Sequence, residues 1–278
     1  MKFKNFNLKN KRALITGAAG LMGYEHAVAL LQSGSEVILT DINIAKLKLL
    51  KQKLLKDYNK KNIMFYSMDV TNEKSVINVL KKIKNTSKVV NILINNAAID
   101  HKMKNLDNNL NYSRVENFSI QQWDNEINVG LKGPFICSKI FGEHMSKNIN
   151  GGVILNIASD LSVISPDQRL YKSNKNINSY QQPVKPVTYS IIKSGLIGLT
   201  RYFATYWIDS KVRCNALSPG GIYTNQSEEF VDKISKLIPM GRMANHDEYR
   251  GAIQFLCSDA SKYMNGHNLI IDGGRTVW

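Results

Sequence analysis

The chain has 278 residues, is 43% hydrophobic and 21% charged, and carries a formal net charge of +15. That length fills one large domain or two small ones and buries a full core, and the composition is ordinary for a globular protein. The basic balance raises an acidic partner, but Lys46, Lys48, Lys51, Lys53, Lys56, Lys60 and Lys61 scatter around one expected helix, and no nucleic-acid module or basic stripe with interleaved aromatics occurs, so no nucleic-acid partner is expected.

Cys137, Cys214 and Cys257 are far apart, with no CxxC or Cys/His spacing, which predicts no metal site and a reducing compartment. The opening "MKFKNFNLKN" lacks the apolar core of a signal peptide, and no apolar run reaches the length of a membrane span, so a cytoplasmic protein without membrane attachment is expected.

In chain order, "RALIT" (12–16) reads as a strand, 21–33 as a helix ended by Gly34, and "EVILT" (36–40) as a second strand. A helix over 43–60 has apolar positions at Ile44, Leu47, Leu50, Leu54 and Leu55. Then come a strand at 63–68, a helix at 72–84, a strand at 90–95, a long helix at 120–147 and a strand at 152–159. A helix at 187–208, a strand at 212–218, a helix at 246–258 and a strand at 268–272 complete the alternation. Such alternation predicts an α/β fold with a parallel sheet and helices on both faces, and no Pro/Gly linker divides it, so one domain spans 1–278. Segments 99–118 and 162–186 break the rhythm after strand C-terminal ends, where open α/β sheets bind ligands.

Between the first strand and helix lies "TGAAGLMG" (16–23), with Gly17, Gly20 and Gly23 spaced G-x-x-G-x-x-G. Glycine allows a tight turn and the close approach of a pyrophosphate, and the following helix N-terminus offers N–H donors. Asp41 ends the second strand, where a carboxylate accepts hydrogen bonds from both ribose hydroxyls and repels a 2′-phosphate, which favours NAD over NADP. Asp69 ends the third strand in the same manner, within reach of an adenine amino group.

Tyr-x-x-x-Lys occurs twice, as Tyr171/Lys175 and Tyr189/Lys193. After Tyr189 the apolar spacing of Ile192, Leu196, Leu199 and Phe203 is helical, which sets Tyr and Lys on one helix face. After Tyr171 the chain is polar and broken by Pro183 and Pro186, a loop composition.

The glycine turn, "NNAA" (95–98), "NIAS" (156–159), "YSIIK" (189–193), "PGGIYT" (219–224) and "IDGG" (271–274) together resemble the short-chain dehydrogenase/reductase family in its single-domain branch, over nearly all of 8–274. The resemblance implies a Rossmann fold, doubly wound, with seven parallel strands, and a hydride passing between a nicotinamide dinucleotide and a carbonyl or alcohol. It implies catalysis by Ser159, Tyr189 and Lys193, with 164–186 an insertion beside the site. It also implies cofactor contacts from Gly17, Gly20, Leu21, Met22 and Gly23 in the turn, from Asp41, Asp69 and Val70, and from Asn95 and Ala97 at the adenosine ribose. Tyr189 and Lys193 meet the nicotinamide ribose, while Pro219, Gly220, Ile222 and Thr224 meet the carboxamide and phosphates.

A tyrosine has a pKa of about 10, and lowering it by about three units costs about 4 kcal/mol. One ammonium about 4 Å away, at an effective dielectric near 20, supplies about 4 kcal/mol. Lys193 therefore suffices to make Tyr189 the acid–base group, with Ser159 orienting the same substrate oxygen.

Two departures stand out. Seven residues after Trp123 the family has Asn, and here stands Gly130. G-x-x-G-x-x-G is commoner in the family's longer, sugar-nucleotide branch. "SPDQRLY" (165–171) and "KPVTYS" (185–190) loosely resemble oxidoreductases of bacterial surface-sugar and flagellin-glycan pathways, and Arg169, Lys172 and Lys185 would suit an acidic or phosphorylated sugar, with Ser159, Tyr189 and Arg169 as substrate contacts. Three other readings are a 3-oxoacyl thioester reductase, a sugar-nucleotide epimerase or dehydratase, and a non-enzymatic NAD-binding regulator. The family's habit and the apolar long helices predict a homotetramer or homodimer, with "RTVW" (275–278) reaching toward a neighbour's site.

Overall fold

The computed structural model describes residues 4–86, 89–99, 112–172 and 182–278. Seven strands, β1 (Arg12–Ile15), β2 (Glu36–Asp41), β3 (Ile63–Ser67), β4 (Ile92–Asn95), β5 (Gly152–Ile157), β6 (Val212–Pro219) and β7 (Asn268–Ile271), form one sheet in the order β3-β2-β1-β4-β5-β6-β7. Every pairing is parallel.

The strands are near-continuous apolar runs because both faces are covered. Their period of two divides the core. Ala13, Ile15, Val37, Leu39, Ile92, Ile94, Val153 and Leu155 face helices α1 (Gly23–Gln32), α2 (Ile44–Leu54) and α8 (Arg250–Cys257). Leu14, Ile38, Leu93 and Ile154 face α3 (Glu73–Lys84), α5 (Gly133–Ser146) and α6 (Val187–Tyr206). Between β4 and α5 lies α4 (Ile120–Ile127), and α7 (Glu228–Ser235) follows β6.

Three helix expectations change. The long helix over 120–147 is interrupted by a π-helical turn, Asn128–Lys132, between α4 and α5. The second helix ends at Leu54 rather than 60, since Asn59 caps a separate 3-10 turn by accepting from the Lys61 N–H at 3.0 Å. The last helix starts at Arg250 rather than 246, because the Glu248 carboxylate holds the preceding turn through the Asn245 N–H at 2.7 Å and the Arg242 guanidinium at 2.7 Å.

From β1 the chain winds outward through β2 and β3, then returns to β4 on the other side of β1 and continues to β7. The reversal between β1 and β4 opens a crevice at their C-terminal ends, the expected ligand position in such sheets.

Candidate active site

The glycine turn leaves β1 and presses against the segment after β4. Gly17 has φ +58°, and a Cβ there would lie 2.6 Å from Ala97 Cα. Asn96 ties the two strand ends together, donating from Nδ2 to the carbonyls of Thr16 at 3.0 Å and Gly17 at 2.9 Å. A Cβ on Gly23 would lie 2.0 Å from the Ala18 carbonyl oxygen, so the third glycine lets α1 start directly beneath the turn. Met22 precedes α1 and caps no first-turn N–H with its side chain. Uncapped N–H groups and the positive end of the helix dipole suit a pyrophosphate.

Asp41 is fixed at the rim, accepting from the Ala19 N–H at 3.1 Å and the Asn43 N–H at 2.9 Å. Asp69 accepts from the Thr71 N–H at 2.9 Å and its hydroxyl at 2.7 Å. These groups line a cleft of about 640 Å³. Gly17, Gly20, Leu21 and Met22 line one end with Asp41, Asp69, Val70 and Ala97, and the wall continues through Pro219, Gly220, Ile222 and Thr224. The volume, the glycine turn at Gly17 and Gly20 and the carboxylate at the end of β2 fit a dinucleotide.

Ser159, Tyr189 and Lys193 line the same cleft. Pro186 sets the start of α6, and Tyr189 N–H bonds its carbonyl at 3.1 Å. Lys193, one turn later, is buried; its Nζ donates to the Ile157 carbonyl at 2.9 Å and lies 5.6 Å from the Tyr189 ring centre. Lys185, two residues before the start of α6, places its Nζ 3.7 Å from the same ring centre. Ser159 Oγ donates to Asp160 Oδ1 at 2.7 Å, and Arg275 Nη1 donates to Asp160 Oδ2 at 2.7 Å. This ion pair is almost wholly buried, at 8% and 4% side-chain exposure, and Arg275 also lines the cleft.

Tyr171 ends a 3-10 turn, Gln168–Tyr171, and packs its ring on Phe230 of α7 at 5.8 Å. Burial raises its phenol above the ordinary tyrosine value, the wrong direction for a base near neutrality. Its companion Lys175 lies outside the described residues.

Some expected contacts stand elsewhere. Asn95 is buried within the sheet, donating to Ser138 Oγ at 2.9 Å and Asn156 Oδ1 at 2.8 Å, and its neighbour Asn96 lines the cleft instead. Gly23 packs behind the turn rather than lining the cleft. Arg169 is 81% exposed and paired with Asp167 at 2.8 Å, away from the cleft wall. Of the last four residues, Arg275 turns into the chain's own cleft, while Val277 and Trp278 are exposed.

The sequence reading missed Asp160, Arg275 and α7. For α7 a signal was present: Ser227 followed by Glu228 and Glu229 is a helix start, and Ser227 Oγ accepts from the Phe230 N–H at 3.4 Å. At Gly130, in the π turn, a Cβ would lie 2.8 Å from Ile192 Cγ2, so glycine lets α6 approach.

A family model described as enoyl-(acyl carrier protein) reductase matches residues 17–276. The chain is 29% identical to an NAD-dependent glycerol dehydrogenase of Listeria innocua, with 99% of this chain and 97% of that protein covered. It is 30% identical to a 2-dehydro-3-deoxy-D-gluconate 5-dehydrogenase of Bacillus subtilis, over 97% and 96% of the two chains. Its fold is similar, with a TM-score of 0.84 and 25% identity over 99% and 98% of the chains, to a gluconate 5-dehydrogenase of Burkholderia cenocepacia crystallised with NADP and tartrate.

Proposed function

We propose, on the premise that the chain belongs to the short-chain dehydrogenase/reductase family, that it oxidises a secondary alcohol of a polyol or sugar acid, or reduces the corresponding ketone, with NAD(H) and with Tyr189 as acid–base. The observation that carries this reading is the convergence of Ser159, Tyr189 and Lys193 on one wall of a cleft whose other end fits a dinucleotide.

A nicotinamide ring, when bound, supplies the hydride acceptor or donor. Tyr189 takes the hydroxyl proton during oxidation and returns it during reduction. The buried Lys193 ammonium favours the phenolate form. Ser159 donates to the substrate oxygen, for which its hydroxyl turns away from Asp160.

NAD is preferred over NADP because the Asp41 carboxylate stands at the adenosine ribose end, held toward the turn by the Ala19 N–H. The relatives divide on this point, NAD appearing in the name of the Listeria protein and NADP in the Burkholderia structure. A hydroxylated substrate is supported by the relatives' names, and Lys185 beside Tyr189 suits a carboxylate at one end of it.

A self-associating enzyme is supported by an exposed aromatic face across α5 and α6, where Phe135, Tyr202 and Tyr206 are 46%, 57% and 60% exposed. Among the described residues no helix is long and apolar enough to cross a membrane. A cytoplasmic location fits three buried cysteines whose thiols burial pushes up, Cys137 and Cys257 to about 12.

The test is a panel of polyols, sugar acids and 3-oxoacyl thioesters with NAD(H) and NADP(H), followed at the reduced nicotinamide absorbance. Turnover of polyols or sugar acids supports the proposal, and turnover of thioesters alone moves the chain to the acyl-reductase reading.

A further inference from the structure

Adjoining the dinucleotide cleft, with which it shares Lys185, Tyr189 and Lys193 as wall residues, lies a small pocket of about 20 Å³. Its wall includes Glu126, Gly130, Lys185, Tyr189, Ile192 and Lys193. A water needs about 10–15 Å³ on this measure and polar partners, and the wall supplies a carboxylate, a phenol and two ammonium groups.

Glu126 is the unexpected member. It stands in the last turn of α4, 5% exposed, and its carboxylate accepts from Thr188 Oγ1 and from Gln122 Nε2 at 2.8 Å. A buried carboxylate is costly unless hydrogen-bonded and near positive charge. Thr188 adjoins Tyr189, so the bond fixes α4 to the turn of α6 that carries the phenol. Gln122, one turn earlier on α4 and bonded to the carboxylate, is half-buried, so it stands between the carboxylate and solvent on that side. Gly130, four residues after Glu126, adds no side chain to the pocket, and the π turn carries its backbone against Ile192.

Each turnover leaves Tyr189 with one proton to shed or to regain, while the cleft side of the phenol faces substrate and cofactor. We propose that Glu126 is the proton-relay residue that exchanges the Tyr189 proton with solvent through a water held in this pocket. In oxidation the phenol O–H breaks, the proton crosses the water, and an O–H forms on the Glu126 carboxylate, which then releases it outward past Gln122. One proton leaves for each hydride transferred, and reduction runs the same path inward. The relay rests on Tyr189 being the acid–base group.

The variant is Glu126→Gln, whose amide oxygen still accepts from Thr188 but whose amide neither takes up nor releases a proton near neutral pH. The first readout is the Tyr189 phenolate, taken as the ultraviolet difference titration between each protein and its Tyr189→Phe counterpart, without substrate. The charged or titrating groups around the pocket are Lys185, Tyr189 and Lys193 with Glu126 itself. Loss of the negative charge should move the phenol titration down by about one pH unit. The second readout is turnover: kcat should fall at least about tenfold, with the pH–rate profile altered and the NAD dissociation constant within about twofold. Glu126→Asp, which keeps the charge and the proton chemistry, should retain the wild-type phenol titration and recover part of kcat, and it also serves where the Gln variant does not fold. A phenol titration and kcat unchanged by Glu126→Gln, or kcat unchanged by Glu126→Asp where only that variant folds, overturns the relay while leaving Tyr189 as the base. A Tyr189 phenol that titrates at the ordinary tyrosine value in the wild-type protein overturns the acid–base assignment and the relay with it.

Discussion

Arg275, at the end of the chain, closes a buried ion pair with Asp160 at 2.7 Å, and the other oxygen of that carboxylate holds the Ser159 hydroxyl at 2.7 Å. Arg275 thus fixes a serine 116 positions away through one intermediary, using a residue adjacent to it in sequence. Breaking one side of such a pair leaves an uncompensated buried charge. Arg275→Met should lower unfolding stability by about 3–5 kcal/mol. Adding Asp160→Asn should restore a large part of that loss, as urea denaturation of the single and double variants will report.

Gly130 gives a second test of packing. Its Cβ would meet Ile192 at 2.8 and 2.9 Å. Gly130→Ala should destabilise the protein by about 1–3 kcal/mol through overpacking, despite the higher helix propensity of alanine. Adding Ile192→Val, which removes the Cδ1 methyl, should cost less than the sum of the two single changes in a double-mutant cycle.

What the sequence made legible divides along physical lines. The glycine turn, Asp41 and the Tyr189/Lys193 pair were legible because each is a local pattern tied to one element boundary. The choice between Asn95 and Asn96 was not, since neighbouring residues at a strand end point to opposite faces and one position of pleat register decides which meets the cleft. Arg275 and Asp160 meet across 115 residues, and no periodicity connects them. The π turn at 128–132 does not disturb apolar spacing enough to read, though Gly130 marked the place.

His26 sits in α1 beneath the glycine turn, fully buried, and burial lowers its imidazole from 6.5 to about 4, opposed in part by the Asn96 side chain. The unfolded chain therefore binds this proton more tightly than the folded one. Its contribution is present above the unfolded value of 6.5 and is lost as pH falls toward about 4. The shift corresponds to about 3 kcal/mol. His26→Leu should flatten the fall of stability over that window, measured by urea denaturation at a series of pH values. An identical slope in variant and wild type would exclude His26 as its source.

Asp41 should govern the choice between dinucleotides. Asp41→Ala should weaken NADH binding and narrow discrimination against NADPH by about tenfold or more, because a carboxylate both accepts from the ribose hydroxyls and repels a 2′-phosphate. Fluorescence titration of both reduced cofactors checks it. Tighter NADPH than NADH binding by the wild-type protein would count against the NAD preference.

The acid–base role of Tyr189 is tested most directly by comparing Tyr189→Phe with Tyr171→Phe under saturating NAD and a polyol or sugar acid that the wild type oxidises. Tyr189→Phe should lower kcat by at least about a hundredfold with NAD affinity within about twofold, the signature of losing a group that acts only in the transition state. Tyr171→Phe, which alters a cleft wall packed on Phe230, should change KM and leave kcat within about threefold. Equal loss of kcat in the two variants, or retention of kcat by Tyr189→Phe, would contradict the account.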